Sequence, residues 1–303
     1  MSKILKIKKP SDYNAWLGLS DTHELITVVN FNEISPVRYS LNSYDVYGLF
    51  LQGNDEAADL VYGTGKYDYK AGTLICVAPG QLGGKEDNGE LVNLTGWAVL
   101  FHPDILQGTG LEKEIKNFSF FDYRINEALH MTTEERDVMV SLMRQLAQEL
   151  KFPADEMQNR IIAGFINMLL RYAQRFYNRQ FVTRTVVNND VLSKFETLLK
   201  DYFDSDMQAS LGLPTVQYCS EKLCLSPNYL SDLIKRTTGD TANHYIKRYV
   251  IQLAKNMLVA GKNSSEVAYA LGFGYPQHFA RMFKKVSGMT PSEYTRSRSD
   301  QKK

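Results

Sequence analysis

The apolar positions of this chain keep two different periods. Between about Phe31 and Phe101 they fall in short alternating runs, VRYSL, YDVYGLFLQG, DLVYG, GTLICVAPGQ and GWAVLF, punctuated by Gly, Asn and Pro. That is the pattern of short strands. Tyr39, Tyr44, Tyr47, Tyr62, Tyr67, Tyr69, Phe50 and Trp97 add the aromatic bias of strands. Short strands at close intervals predict a small barrel or double-sheet roll, whose mouth suits a ligand held by aromatic walls and a few polar groups. The segment from Gly80 to Gly84, GQLGG, reads as a flexible loop, and without a following lysine and helix it gives no phosphate site.

From about Thr132 to Asn178 the period becomes helical. Thr132-Thr133 with Glu134-Glu135 predicts a capped start, and Val138, Leu142, Leu146 and Leu150 share a stripe. After the interruption FPADE, a second helix places Ile161, Ile162, Phe165, Met168, Leu169 and Tyr172 over a wide apolar arc. Two uses fit this pair, a cover for the sheet or a dimerisation face. Gln180 to Asn189, QFVTRTVVNN, is short and polar and reads as a linker. Asp190 to Phe203 is again helical, with Leu192, Phe195, Leu198, Leu199 and Phe203 inward, packed either on the C-terminal helices or on the N-terminal half.

The last third carries a repeat. Ser264 to Tyr294 predicts two short helices. The first starts after Ser264-Ser265, carries Val267, Ala268 and Leu271 on one face, and stops at Gly272. The second starts near Pro276 and buries Phe279, Met282 and Phe283. Gln277, His278 and Arg281 then face outward, followed by Lys284 and Lys285. Upstream, PTVQYCSEKLCLSPNYLSDLIKR (214–236) has the same plan. A shift of 49 residues puts Leu230 under Phe279, Cys219 under Ala268, Pro227 under Pro276 and Asn228 under Gln277. Thr241 to Ala260 joins the copies as a helix of about 30 Å, close to the roughly 34 Å between successive major grooves on one face of B-DNA. Amide and guanidinium groups suit base edges there, and ammonium groups suit phosphates.

These residues carry a resemblance. LSPNYLSDLIKRTTG, AYALGFGYPQHFARMFKKVSG and the closing MTPSEY, within about Val191 to Arg298, resemble the DNA-binding domain of the AraC/XylS family of bacterial transcription regulators. The resemblance implies base-reading positions at Asn228, Ser231 and Asp232 in the first unit and at Gln277, His278 and Arg281 in the second. Phosphate contacts are expected from Ser226, Lys235, Arg236, Lys284 and Lys285. Asp232 departs from the neutral or positive side chain usual there, and three readings compete: recognition of cytosine, pairing with Lys235 or Arg236 on its own helix, or a first unit that adds little specificity. The resemblance further implies an α+β multidomain chain. Its parts are an N-terminal cupin-like β-barrel or roll (1–130) for sensing, a helical pair (131–182) for dimerisation, and a C-terminal all-α domain (190–299) with two helix-turn-helix units joined by a linker helix. The partners implied are promoter double-stranded DNA, RNA polymerase if the chain activates, a small-molecule effector and a second copy of the chain.

Charge and chemistry adjust this picture in places. The chain is formally +1, but from Asp190 onward it holds 16 Lys+Arg against 11 Asp+Glu, leaving 19 against 23 before it. The helical part is therefore the one suited to a polyanion. Cys76, Cys219 and Cys224 make no CxxC spacing, and Cys219 and Cys224, inside apolar helical patterns, read as buried free thiols. His23, His102, His130, His244 and His278 are too scattered for a metal site, so no metal, cofactor or enzyme activity is expected. His102 in FHPD reads as a turn or capping residue, and His130, after the helical-looking NEALH, as packed or capping. There is no apolar run of membrane length and no leader-like N-terminus, so a cytoplasmic, non-membrane protein is expected. The competing function is a small-molecule-binding protein whose helical C-terminal domain is only an interaction module.

Overall fold

The computed structural model describes residues 4–53, 72–124, 127–183 and 185–300. The run DLVYG and Tyr62, Tyr67 and Tyr69 lie outside the described residues. The chain divides into two units, Met1–Gln180 and Phe181–Lys303. The first is β-rich and the second helical, giving a two-domain α+β protein.

In the first unit the strands are β1 (Leu5–Ile7), β2 (Ile26–Asn30), β3 (Val37–Arg38), β4 (Leu41–Tyr44), β5 (Tyr47–Gln52), β6 (Thr73–Val77), β7 (Leu82–Gly84), β8 (Leu91–Val92), β9 (Gly96–Phe101) and β10 (Leu129–His130). They form a five-stranded antiparallel sheet in the order β10-β6-β5-β9-β2, a three-stranded sheet β1-β4-β7, and the pair β3-β8. Register decides what each face buries. Phe50 sits between Ile75 and Ala98, and Gly48 between Val77 and Leu100, on one face of the large sheet. Phe50, Ile75, Val77, Ala98, Leu100 and Val29 share a core with Tyr13, Tyr44 and Val46. Leu49, Leu51, Leu74, Cys76 and Val99 occupy the opposite face and are also buried. Burial on both faces is why GTLICV reads as a continuous apolar run rather than an alternation.

A helix α1 (Pro10–Leu17) packs on β1 and β2. The short α2 (Leu111–Glu114) belongs to an irregular segment rich in 3-10 turns between β9 and β10. Then α3 (Thr133–Glu149) packs on β2 and β9. Its start is a capping box: the Thr132 hydroxyl accepts from Glu135 N at 3.3 Å and the Glu135 carboxylate from Thr132 N at 3.0 Å. The FPADE interruption supplies the next cap, since Asp155 Oδ1 accepts from the N–H groups of Met157 and Gln158 at 2.8 and 2.9 Å. These open α4 (Gln158–Thr183), which buries Ile162, Ile166, Leu169, Leu170 and Ala173 and leaves Ile161 and Met168 exposed.

Several expectations are corrected here. NEALH is not helical at its end: Leu129 and His130 pair with Leu74 and Thr73 as an edge strand. His130 N donates to Gln180 Oε1 at 2.7 Å and its carbonyl accepts from Arg179 at 2.8 Å, so the end of α4 supplies the hydrogen bonds this strand edge lacks. GQLGG is not a loop throughout, because Leu82–Gly84 is β7, paired with β4. Gly84 has φ +106°, and a Cβ there would stand 2.1 Å from Ser40 O, so the close ladder requires glycine. The stretch 180–189, read as a short polar linker, begins at the boundary between the two units. It is helical up to Thr183 and again from Thr185, where α5 (Thr185–Asp204) begins. His102 does cap, its Nδ1 accepting from Asp104 N at 3.3 Å.

The second unit continues with α6 (Met207–Leu211), α7 (Val216–Lys222), α8 (Pro227–Thr238), α9 (Ala242–Val259), α10 (Ser264–Ala270), α11 (Pro276–Ser287) and α12 (Pro291–Asp300). The buried side of α5 packs on α7 and α8, with Phe195 against Tyr245 (5.7 Å between rings) and Tyr202 against Tyr218 (5.1 Å). It is therefore part of the first helix-turn-helix unit. Gln208 on α6, 6% exposed, donates to Ala270 O at 3.2 Å and so ties α6 to the second unit.

Candidate nucleic-acid interface

Both reading helices are built by similar local chemistry. α8 and α11 each begin at proline, where the missing N–H leaves nothing unpaired. Each ends at a left-handed glycine, Gly239 and Gly288, whose N–H returns to the carbonyl of Lys235 or Lys284 at 3.0 and 2.9 Å. These features keep the 49-residue shift. The preceding helices do not. α7 is capped by Thr215 and α10 by Asn263, 48 residues apart, and Asn263 rather than Ser264-Ser265 provides the cap, in a box with Glu266. The turn bonds Leu225 N to Ser220 O and Phe273 N to Ala268 O share the 48-residue shift. Cys219 thus matches Val267, not Ala268. The second turn holds one extra residue: Gly274 and Tyr275 stand where the first unit has Ser226 alone.

That difference changes the start of each reading helix. Ser226 is 3% exposed and its hydroxyl accepts from Tyr229 N at 3.2 Å. It is a buried cap at the start of α8. Tyr275 makes no side-chain cap, is 61% exposed, and lies 5.4 Å from the His278 ring.

The inward faces hold the helices in place. α8 buries Tyr229, Leu230, Leu233 and Ile234, with Tyr229 5.2 Å from the Phe181 ring. α11 buries Phe279 and Phe283; Met282 is half-buried. Phe279 packs at 5.4 Å on Phe273, and Phe283 at 5.7 Å on Tyr294. Tyr294 belongs to the closing MTPSEY, whose Thr290 and Glu293 form a reciprocal cap for α12. Hydrogen bonds from Thr290, backbone first, hold the Glu293 carboxyl below its usual range, helped by Lys284 and Arg296. The closing motif therefore braces the second reading helix.

With the inward faces fixed, the outward ones are set. Gln277, His278, Arg281, Lys284 and Lys285 are all exposed on α11. On α8, Lys235 and Arg236 are exposed, while Asn228, Ser231 and Asp232 are half-buried. The second unit presents the more open polar face. Between the units α9, 18 residues and so about 27 Å long, buries Ile246, Val250, Ile251, Ala254 and Leu258. Near its start Asp240 accepts from His244 Nδ1 at 2.8 Å and from Arg248, bonds that lower its pKa.

Two helix-turn-helix units in one helical domain, each with a polar, cation-ended second helix, define a domain of the class that binds double-stranded DNA. Residues 219–297 match the family described as a helix-turn-helix domain, and the domain is of AraC type. Among named proteins, the chain is 31% identical over 134 residues to the uncharacterized transcriptional regulatory protein YesN of Bacillus subtilis (strain 168), a match covering 42% of this chain and 34% of that one. It is 24% identical over 162 residues to the HTH-type transcriptional activator RhaS of Citrobacter koseri, covering 52% and 54%. Among solved structures, the C-terminal domain of AraT, a response regulator from Geobacillus stearothermophilus, shares 27% identity over 35% of this chain and 84% of that one, with a TM-score of 0.31. The chain spans about a third of the first relative and about half of the second.

A second feature lies in the β-rich unit. Between β4–β7 and the Phe50 face of the large sheet is a cavity of about 400 Å³. Tyr13, Trp16, Phe31, Tyr39, Tyr44 and Phe50 supply its rings. Burial pushes the Tyr13 phenol well above its ordinary pKa, so it stays neutral. Asn42 and Gln52 bring polar side chains to this wall. Periodicity pointed only to a barrel mouth and missed these two. The signal available was their position, since Asn42 alternates in register with the inward Tyr44, and Gln52 with Phe50.

Proposed function

We propose that this chain is a transcription regulator that reads promoter DNA with α8 and α11 in successive major grooves. The observation that carries this reading is the outward row on α11, Gln277, His278 and Arg281, held against a core of Phe279 and Phe283 and followed by Lys284 and Lys285. Arg281 and Gln277 make the main base contacts, bidentate to guanine and adenine. His278, Asn228 and Ser231 add weaker readout, and Asp232 pairs with the basic end of its own helix. Lys235, Arg236, Lys284 and Lys285 neutralise phosphates.

The N-terminal domain, read as cupin-like, binds a small-molecule effector in its cavity. α3 and α4 join two copies of the chain, a reading supported by the exposed Met157 just before α4 and Ile161 and Met168 along it. The protein works in the cytoplasm and engages RNA polymerase if it activates. Anisotropy titration against promoter and random DNA tests the DNA reading, and sedimentation of the full chain at tens of micromolar tests the dimer. A monomer there removes the role of α4. The module without DNA binding is disfavoured because residues 219–297, which include both reading helices, match a helix-turn-helix domain.

A further inference from the structure

The extra residue in the second turn leaves an aromatic ring where the first turn has a cap. At the start of α8 Ser226 is buried and its hydroxyl caps the helix, but Tyr275 gives α11 no side-chain cap and is 61% exposed. Helix starts favour short oxygen-bearing side chains, so neither capping nor burial accounts for a phenol ring there. Among the described residues its phenol makes no hydrogen bond, and the ring's one aromatic contact is His278, with centres 5.4 Å apart and planes at 68°. His278 is exposed and belongs to the outward row of α11. The contact therefore places the Tyr275 ring on that side of the helix, one residue ahead of Pro276 and so at the leading edge of the row. An edge-to-face pair at this distance restricts the imidazole. The free phenol beside it is a neutral donor of the kind that phosphate oxygens accept.

We infer that Tyr275 is a DNA-contacting residue of the second unit: its phenol donates to a phosphate at the rim of the groove that α11 enters, and its ring positions the His278 imidazole toward the bases. This rests on the reading of α11 as a helix that reads DNA, and adds a contact that Gln277, His278 and Arg281 do not make. The two roles are separable. The phosphate contact is blind to sequence and, made by a neutral donor, releases no counterion. The hold on His278 acts only through the base pair that His278 reads.

The test is anisotropy titration of the full chain on DNA from upstream of its own and neighbouring genes, on single-base-pair variants of the site it selects, and on random DNA. Tyr275→Phe keeps the ring and removes the donor. It weakens binding to specific and random DNA alike by about tenfold, the scale of a hydrogen bond to a charged group, and leaves the salt slope unchanged. Tyr275→Ser supplies the kind of cap that α8 has, so its thermal midpoint is unchanged or raised. It nevertheless shows the loss seen in Tyr275→Phe, together with the loss of discrimination at one base pair that His278→Ala shows alone. The variant carrying both Tyr275→Ser and His278→Ala discriminates no worse than His278→Ala. If Tyr275→Phe binds within about twofold of the wild type, or Tyr275→Ser discriminates as the wild type does, the inference is overturned. A lowered midpoint for Tyr275→Ser with unchanged binding by the folded chain assigns the ring a structural role and overturns it equally. Arg281→Ala keeps the two readings apart: if it loses selectivity and the Tyr275 variants do not, only Tyr275 is misassigned, and if it loses none, α11 is not the reading helix and the Tyr275 contact falls with it.

Discussion

The two turns between paired helices place one residue each in the left-handed region at the same position, Cys224 at φ +57° and Gly272 at φ +83°. Substitution should have opposite consequences at the two sites. In Gly272→Ala the new Cβ stands 2.5 Å from Gln208 O, a backbone atom on α6. Left-handed backbone costs a non-glycine residue about 1–2 kcal/mol, and forcing apart a packed contact adds about 1–3 kcal/mol. The expected loss is therefore about 2–5 kcal/mol, roughly 10 °C or more in midpoint for a domain of this size. Cys224→Gly relieves the same backbone cost against a comparable gain in unfolded-chain freedom, so it leaves stability unchanged or raises it by up to about 1 kcal/mol. Thermal unfolding at 222 nm reads the helices of both units, most of them in the helical one. Both tryptophans, Trp16 and Trp97, lie in the β-rich unit, so their emission reads that unit's transition separately. A Gly272→Ala midpoint within 2 °C of the wild type would refute the packing of α6 on this turn.

Other perturbations probe the same structure. Arg281→Ala should cost about 1–3 kcal/mol on the operator and relax choice at one base pair, whereas Lys284→Ala should weaken all sequences alike and lower the salt slope by about one; anisotropy titrations at several salt concentrations separate them. Glu293 has a depressed folded pKa, so it stabilises above its ordinary value of 4.5 and that contribution disappears as pH falls through the lower folded value. The midpoint difference between wild type and Glu293→Gln should accordingly be present at pH 7 and vanish on acidification below pH 4.5. Of three free thiols, Cys76 and Cys219 are buried, whereas Cys224, expected to be buried in a helix, sits exposed in the left-handed turn after α7, and burial pushes the Cys219 pKa up to about 12. A thiol reagent should modify only Cys224 in the native chain and all three after denaturation; rapid native reaction of a second thiol contradicts this packing.

The helical half was more legible than the β half for a physical reason. A helix repeats its apolar face every three to four residues, so Leu230, Phe279 and Phe283 announce themselves within one short window. A strand's partner lies far away in sequence, and GQLGG and LH became strands only because β4 and β6 stand beside them. The 48-against-49 shift was hidden because the left-handed turn residue is Cys in one copy and Gly in the other, and the extra Tyr275 sits outside both periodic faces. The helix up to Thr183 and again from Thr185 was concealed by β-branched, polar composition that propensity ranks low. Asn42 and Gln52 were readable as positions in an alternation but not as atoms lacking partners, which depends on what the neighbouring strands bring.

The measurement closest to the central claim is a fluorescence-anisotropy titration of the full chain with DNA from upstream of its own and neighbouring genes, against excess random DNA, for wild type and Arg281→Ala. Selective binding by the wild type that Arg281→Ala weakens by about 1–3 kcal/mol on the specific DNA, with little change on random DNA, is the predicted result. Equal losses on specific and random DNA, or no binding by the wild type even at low salt, would contradict the assignment of α11 as the helix that reads sequence.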